Sequence, residues 1–456
     1  MSLAASGKRN LRSLETSLEA LVERAVSRSG IPGISLALSV CGERFTAVAG
    51  VGDTVNGAVL SQQGRFQLGC LTKLLTALLA LRLAHSGTLD LDAPIETYLP
   101  EYAGTTFARI TARHLASHAS GYEGLNLGDP GVAYYYSDEK LHAFARGTPQ
   151  TFSPGTVFNY EHSESVLLGH IIRRITGRAV VELMQEWLFA PLGISCGTVA
   201  ATQDPPSSRV AEHSLDGASR TYKPLRKVPY SRFWATSLSD LTISPRELLE
   251  LGELLVGTRI CPDWPARSLN ELHEPLVRVP DTAGGPARER MPVAFGFGCA
   301  HYGGGIFGHN GSARGQTVGF RFEPQSRTTV AVAINTWNPH LRDVLLNRVF
   351  ELVRPARSLD ACAEPVAVLH LSELEGVYAG GTQGVRIEAQ RTGEALSCVV
   401  RNRYIPGEIR VQMAQDQAGR LAPQSDIGHL SVGFFREPTA GCPCVMLGLN
   451  AYRKSA

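Results

Sequence analysis

Strand-forming stretches occur near both ends of the first three-quarters of this chain, and that separation limits the folds open to it. Gly33 to Cys41 and Arg44 to Ala49 read as two strands joined by a short glycine-containing turn. Gly319 to Phe322 and Thr328 to Asn335 are strand-like again, and an apolar helical pattern follows over Leu341 to Val353. Upstream, Leu11, Leu14, Leu18, Leu21, Val22, Ala25 and Val26 recur at helical spacing until Gly30 and Pro32 stop the run. A sheet assembled from both ends of one domain, with a long and mainly helical insertion between, accommodates all of these. Gly- and Pro-rich stretches inside the insertion (Gly121 to Gly155, Gln203 to Arg226, Asp281 to Pro292) read as loops able to line a cleft. Periodicity breaks between Arg354 and Pro365. Beyond it come short β-like runs such as Gly384 to Glu388 and Leu396 to Val400, as in a small antiparallel barrel or sandwich. The expected domains are therefore 12–355 and 366–456.

The chemistry centres on Gly69-Cys70-Leu71-Thr72-Lys73, which opens an apolar run from Leu74 to His85. A spacing of three on a helix sets Cys70 and Lys73 on one face, one turn apart. A thiol at a helix N-terminus beside an ammonium group is a setting in which the nucleophilic thiolate becomes available. Lys73 is one of only six lysines among 44 basic residues. Two further segments carry suitable groups. Pro154 to His162 offers Tyr160 just ahead of a predicted helix over Glu164 to Ile175, and a phenol near an ammonium can serve as a base. Gly308-His309-Asn310-Gly311-Ser312 lies ahead of the C-terminal strands of the first domain, where its glycines permit close approach to the backbone. A backbone N–H there, with that of Cys70, can form an oxyanion hole. Taken singly, each has an ordinary structural reading. His118, within Arg113 to Tyr122, reads as the brace of a loop.

Bulk properties exclude several classes. The formal net charge of +2 gives no electrostatic case for nucleic acid or an anionic membrane as partner. No segment has the length of a membrane span, and Met1 to Asn10 holds no apolar signal stretch, so a cytoplasmic location is expected. The nine cysteines are scattered without zinc spacing, which fits reduced thiols; no metal and no cofactor is expected.

In order and separation these segments resemble the serine β-lactamase and penicillin-binding-protein superfamily, specifically the class C β-lactamase-like branch of esterases, D-aminopeptidases and transacylases. Phe66-Gln67-Leu68-Gly69-Cys70-Leu71-Thr72-Lys73 is similar to that branch's nucleophile segment, with cysteine where it has serine. Gly87 to Pro94, Tyr98 to Pro100, Ile110 to Gly121, Pro154 to Gly177, Ser239 to Gly257 and Phe295 to Asn335 extend the likeness over roughly residues 15–353. The resemblance implies an α+β fold, with an antiparallel sheet flanked by helices. It also implies a small lipocalin-like β-barrel for the tail. It implies Cys70 as nucleophile, Lys73 as its proton partner and Tyr160 as general base and acid. His309 takes the first position of the Lys-Thr-Gly box, and Ser312 contributes an oxyanion N–H beside that of Cys70. Asn310 and Gly311 belong to the same substrate-facing box. His162 stands where the family's Tyr-x-Asn motif has asparagine.

Sulfur in the nucleophile's place points to a thioester intermediate, which passes its acyl group to amines and thiols more readily, relative to water, than an ester does. The expected function is thus acyl transfer between a small-molecule donor and an acceptor, the donor being of carrier-protein or coenzyme A thioester type. An esterase or amidase, and a silent binding protein using the same cleft, are the alternatives. The sequence carries no signal for oligomeric state.

Overall fold

In this computed structural model the described residues are 2–122, 148, 150–198, 208, 210–225, 239–264, 269–280, 291–313, 315–354, 369–380, 385–393, 395–402, 405–415, 421–423, 432–447 and 450–455. Of the expected loops, 123–147, 201–207 and 281–290 lie outside the described residues, as does most of the expected linker after residue 354. Two compact units are present. Met1–Leu75, Ala179–Leu269 and Gly305–Leu359 make the first, and Thr76–Arg178, Asn270–Gly304 and Asp360–Ala456 the second.

The first unit is built, in chain order, from α1 (Ser2–Ser29), β1 (Gly33–Val40), β2 (Glu43–Gly50), β3 (Phe66–Gly69), the start of α2 (Thr72–His85), β4 (Ser239–Ile243), α3 (Pro245–Leu255), β5 (Phe307–Ala313), β6 (Gln316–Glu323), β7 (Thr328–Ile334) and α4 (Pro339–Val353). Five strands run antiparallel in the order β2-β1-β7-β6-β5. As the sequence pattern required, the two chain ends meet in the middle, with Ile34 opposite Ile334, Leu36 opposite Val332 and Leu38 opposite Val330. These side chains join Leu18 and Val22 of α1 and Leu345, Leu346 and Val349 of α4 in one core. Each fully buried Leu or Ile there contributes about 1.5–3 kcal/mol.

The alternate residues of β1 face α3, where Ser39 Oγ donates to Glu253 Oε1 at 2.8 Å. A Cβ on Gly252 would stand 2.0 Å from Thr329 Cγ2, so α3 lies directly on β7. Both faces of the sheet are covered, and β1 and β7 are accordingly apolar or small throughout. The β1–β2 hairpin closes through Cys41 and Gly42, both at positive φ (52° and 89°), the twist a two-residue hairpin favours. β3 pairs antiparallel with β4 and ends at the Gly69-Cys70 turn.

In the second unit, helix Ala112–Ala116 opens with a capping box from Thr111 and His114. Helix His162–Thr176 opens on Glu161, whose carboxylate accepts from His162 N–H at 2.8 Å, and closes on left-handed Gly177. It starts two residues earlier than its sequence pattern predicts. The tail forms two antiparallel sheets. One holds Gly376–Gly380, Val385–Thr392, Ala395–Asn402, Ile405–Gln415 and Leu421–Pro423; the other holds Val432–Arg436, Pro443–Leu447 and Asn450–Arg453. They share a core containing Tyr378, Ile387, Leu396, Val411, Val432 and Val445. Among the described residues they remain two sheets, joined by a bridge between Tyr378 and Lys454, and no closed barrel forms. No helix among the described residues is long and apolar enough to cross a membrane.

Candidate active site

Cys70 occupies the turn between β3 and α2, with the helix proper starting at Thr72. The turn is tight: Leu71 N–H donates to Leu68 C=O at 3.2 Å and Lys73 N–H to Cys70 C=O at 3.0 Å. Cys70 is half-buried, while Lys73 is only 3% exposed. Holding an ammonium so deeply requires polar company. Leu74, Leu75, Ala77, Leu78, Leu79 and Ala80 behind it are all buried, as expected of a helix apolar on every side.

Two glycines bring β5 against this turn. Gly69 sits at φ +52°, and a Cβ there would lie 2.3 Å from the Ser312 carbonyl oxygen and 2.9 Å from the Ser312 nitrogen. A Cβ on Gly311 would lie 1.9 Å from the Leu68 carbonyl oxygen and 3.2 Å from the Leu71 nitrogen. Backbone therefore meets backbone on either side of Cys70, and only glycine fits at both places. The segment read from sequence as lying ahead of the strands is itself a strand, β5. Its Gly311 admits the Leu68 carbonyl, whereas the sequence reading reserved that space for substrate.

His309 is 3% exposed, and its Nδ1 lies 2.6 Å from the Asn310 carbonyl oxygen. Burial pushes its pKa down to about 3, helped by the positive charge of Lys73 and, further off, of Arg321 and Arg342, against the pull of the Asn310 carbonyl. The imidazole is thus neutral at physiological pH. With Nδ1–H donating to that carbonyl, Nε2 carries the lone pair. His309 lies two residues along β5 from the Gly311 contact.

Asn310 faces the other way. Its Oδ1 accepts from Arg321 Nη1 at 2.7 Å, and its Nδ2 donates to Asp343 Oδ1 at 3.3 Å. Arg342 Nη2 in turn donates to Asp343 Oδ2 at 2.7 Å. This buried knot ties β5 and β6 to α4, so the Asn310 side chain, expected at the substrate, is engaged in holding the strand. The sequence reading did not single out Arg321, Arg342 or Asp343. The two-residue period of a strand was the available signal, since it separates Asn310 from His309.

Tyr160 and His162 belong to the second unit and are half-buried. The Tyr160 ring centroid is 4.3 Å from that of His118 and 5.8 Å from that of His162. Beneath it, His118 Nδ1 lies 2.5 Å from Glu164 Oε2, both residues being almost fully buried (2% and 1%). Glu164 Oε1 also accepts from the Ser120 N–H at 3.2 Å. His118 sits at φ +58°, a strained conformation for a non-glycine residue. Its bracing role, read from sequence, has a definite partner in Glu164, which the sequence reading missed. The sequence-predicted residues thus fall into two sets: Cys70, Lys73, His309, Asn310, Gly311 and Ser312 in one unit, Tyr160 and His162 in the other.

A half-buried thiol on a strand-to-helix turn thus has a buried lysine one turn on and a facing strand pressed against that turn. In comparison with known proteins, residues 18–353 match the Beta-lactamase family, and the chain belongs to it. Penicillin-binding protein 4 of Amycolatopsis lactamdurans is 28% identical over 322 residues, covering 67% of this chain and 81% of its own. Esterase EstB of Burkholderia gladioli is 29% identical over 208 residues, or 41% of this chain and 53% of its own. Among solved structures, that of SurE shares the fold with a TM-score of 0.74 and 20% identity, over 98% of this chain and 100% of its own. A class C β-lactamase from Rhodobacter sphaeroides does so with a TM-score of 0.63 and 19% identity, over 74% and 99%.

Proposed function

We propose that the chain is an acyl-transfer enzyme working through a Cys70 acyl-thioester. The observation that carries this is the contact of Gly69 and Gly311 with the opposing backbones, which holds the Cys70 turn against Ser312. In this reading the main-chain N–H groups of Cys70 and Ser312 receive the oxyanion as the thiolate attacks the donor carbonyl. Lys73 takes part in removing the thiol proton. Tyr160 serves as general base, then returns the proton to the leaving group. Neutral His309 lines the site as a hydrogen-bond partner, and His162 borders the substrate. A second nucleophile then attacks the thioester and releases Cys70 as thiolate.

The acceptor decides between transfer and hydrolysis. Thioesters favour amines and thiols over water, which supports a transacylase of small-molecule metabolism using carrier-protein or coenzyme A thioesters in the cytoplasm. The names of the relatives, a penicillin-binding protein and an esterase, support hydrolysis as the second reading. The test is intact-mass spectrometry with a panel of acyl thioesters, esters and amides. A transacylase gives an adduct on wild-type chain and none on Cys70→Ala, and product release rises with acceptor concentration at unchanged acylation rate. Hydrolysis insensitive to every acceptor selects the esterase reading. Absence of any adduct, together with Cys70 labelling by electrophiles that ignores Lys73 and Tyr160, selects a silent binder.

A further inference from the structure

We propose that the C-terminal sheets are a working part of the acyl-transfer site, with Asn450 as the residue that positions Tyr160. This rests on the reading of Tyr160 as general base. Asn450 is the first residue of the last strand, Asn450–Arg453. Its Nδ2 donates to the Tyr160 carbonyl oxygen at 2.7 Å and lies 3.3 Å from Asn159 Oδ1. The next residue, Ala451, donates its N–H to the same Asn159 oxygen at 3.1 Å. Asn159 is buried, and its Nδ2 reaches across to the Tyr122 carbonyl at 3.1 Å, while its own N–H donates to the His118 carbonyl at 2.8 Å. The strand end and the Tyr160 turn are thus sewn together through one asparagine on each.

The turn needs this support. Residues 158–161 lie outside helix and strand, so no helix or strand ladder holds this turn. Asn450 supplies a donor to the Tyr160 carbonyl. The peptide that follows Tyr160 is held at its carbonyl by Asn450 and at the Glu161 N–H by His118 Nδ1, 3.3 Å away, which steers the Cα–Cβ bond of Tyr160. The His118 and Phe295 rings flank the side chain, with ring centroids at 4.3 and 6.4 Å. Apolar packing joins the same two regions: Val157 and Phe158 share a core with Cys444, Met446 and Ala451. The appended sheets therefore set the aim of the phenol. Loss of the Asn450 donor leaves this peptide held from its Glu161 N–H side alone, and a displacement of about 1 Å in a catalytic group costs on the order of 10²-fold in rate.

The experiment uses the full chain and phenyl thioacetate, an activated thioester, with Cys70 acylation followed by intact mass. Asn450→Asp keeps the volume but cannot donate, and Asn450→Ala removes the group altogether. Both are expected to acylate about 10- to 100-fold more slowly at saturation, with the half-saturating thioester concentration and the melting transition little changed. In a Tyr160→Phe background, the same substitutions are expected to add almost nothing, because they act through the missing phenol. Wild-type acylation by both Asn450 variants overturns the proposal, as do losses that multiply with that of Tyr160→Phe. Loss of the melting transition in both variants makes the contact structural and overturns positioning too. A wild-type rate for Tyr160→Phe itself is a different outcome, since it removes the base on which the proposal rests.

Discussion

Replacing Gly311 by alanine tests the central geometry, because the insult is one methyl group in a known place. The new Cβ would lie 1.9 Å from the Leu68 carbonyl oxygen, whereas ordinary contact begins near 3.4 Å, so β5 and the nucleophile turn must part by about 1.5 Å. Neither partner is a flexible side chain; both are backbone, one at the end of β3 and the other paired with β6. Overpacking of this kind costs about 1–3 kcal/mol of stability. The same movement draws the Ser312 N–H away from Cys70, and a 1 Å misplacement costs on the order of 10²-fold in rate. Gly311→Ala is therefore expected to slow Cys70 acylation about a hundredfold and to lower the unfolding free energy from urea titration by about 1–3 kcal/mol. Gly217→Ala is the matched control, since a Cβ there meets nothing within 4 Å. Intact-mass time courses and urea titrations report the two quantities separately. Wild-type acylation by a folded Gly311→Ala chain would refute the claim that this contact builds the oxyanion site.

Cys70→Ser is expected to keep the fold and to move the product ratio from aminolysis towards hydrolysis as amine concentration is varied; an unchanged ratio removes sulfur from the choice of acceptor. For His309, the folded imidazole resists protonation down to about 3, while its ordinary value is 6.5. The unfolded chain then binds the extra proton between those values, so this residue's contribution to stability is present above pH 6.5 and is lost as pH falls to about 3. His309→Gln should flatten the acid limb of stability against pH by a few kcal/mol, roughly; superimposable limbs for the two chains would contradict the burial argument. Glu164→Ala removes the carboxylate beside His118 Nδ1 and the acceptor of the buried Ser120 N–H, and is expected to cost about 1–3 kcal/mol by denaturant unfolding. An unchanged midpoint would show that the pair bears no structural load.

Local pattern made some of this molecule legible and hid the rest for identifiable reasons. The sheet built from both chain ends could be read because β1 and β7 are covered on both faces and so carry continuous apolar runs. Cys70 and Lys73 could be read because their relation is a single helical turn. Gly311 was noticed as a glycine, but its neighbour is the Leu68 carbonyl, more than two hundred residues away, and no local signal names that contact. Asn310 is the instructive miss. A strand period places it opposite to His309, yet the motif reads from sequence as lying ahead of the strands, where no such alternation applies. Asn450 and Glu164 act through partners brought close only by tertiary folding, so nothing in their own surroundings marks them.

The Arg321–Asp343–Arg342 knot under Asn310 has a consequence for how β5 can err. A slip of one residue against β6 would exchange the strand's two faces, turning His309 towards Arg321 of β6 and Asp343 of α4, and Asn310 to the face His309 now occupies. An imidazole offers no amide oxygen to Arg321 and no amide N–H to Asp343, so the misaligned strand would leave that buried guanidinium without its Asn310 bond. The knot thus works as a register lock: it penalises the wrong alignment, and the placing of His309 is enforced from the opposite face of the strand.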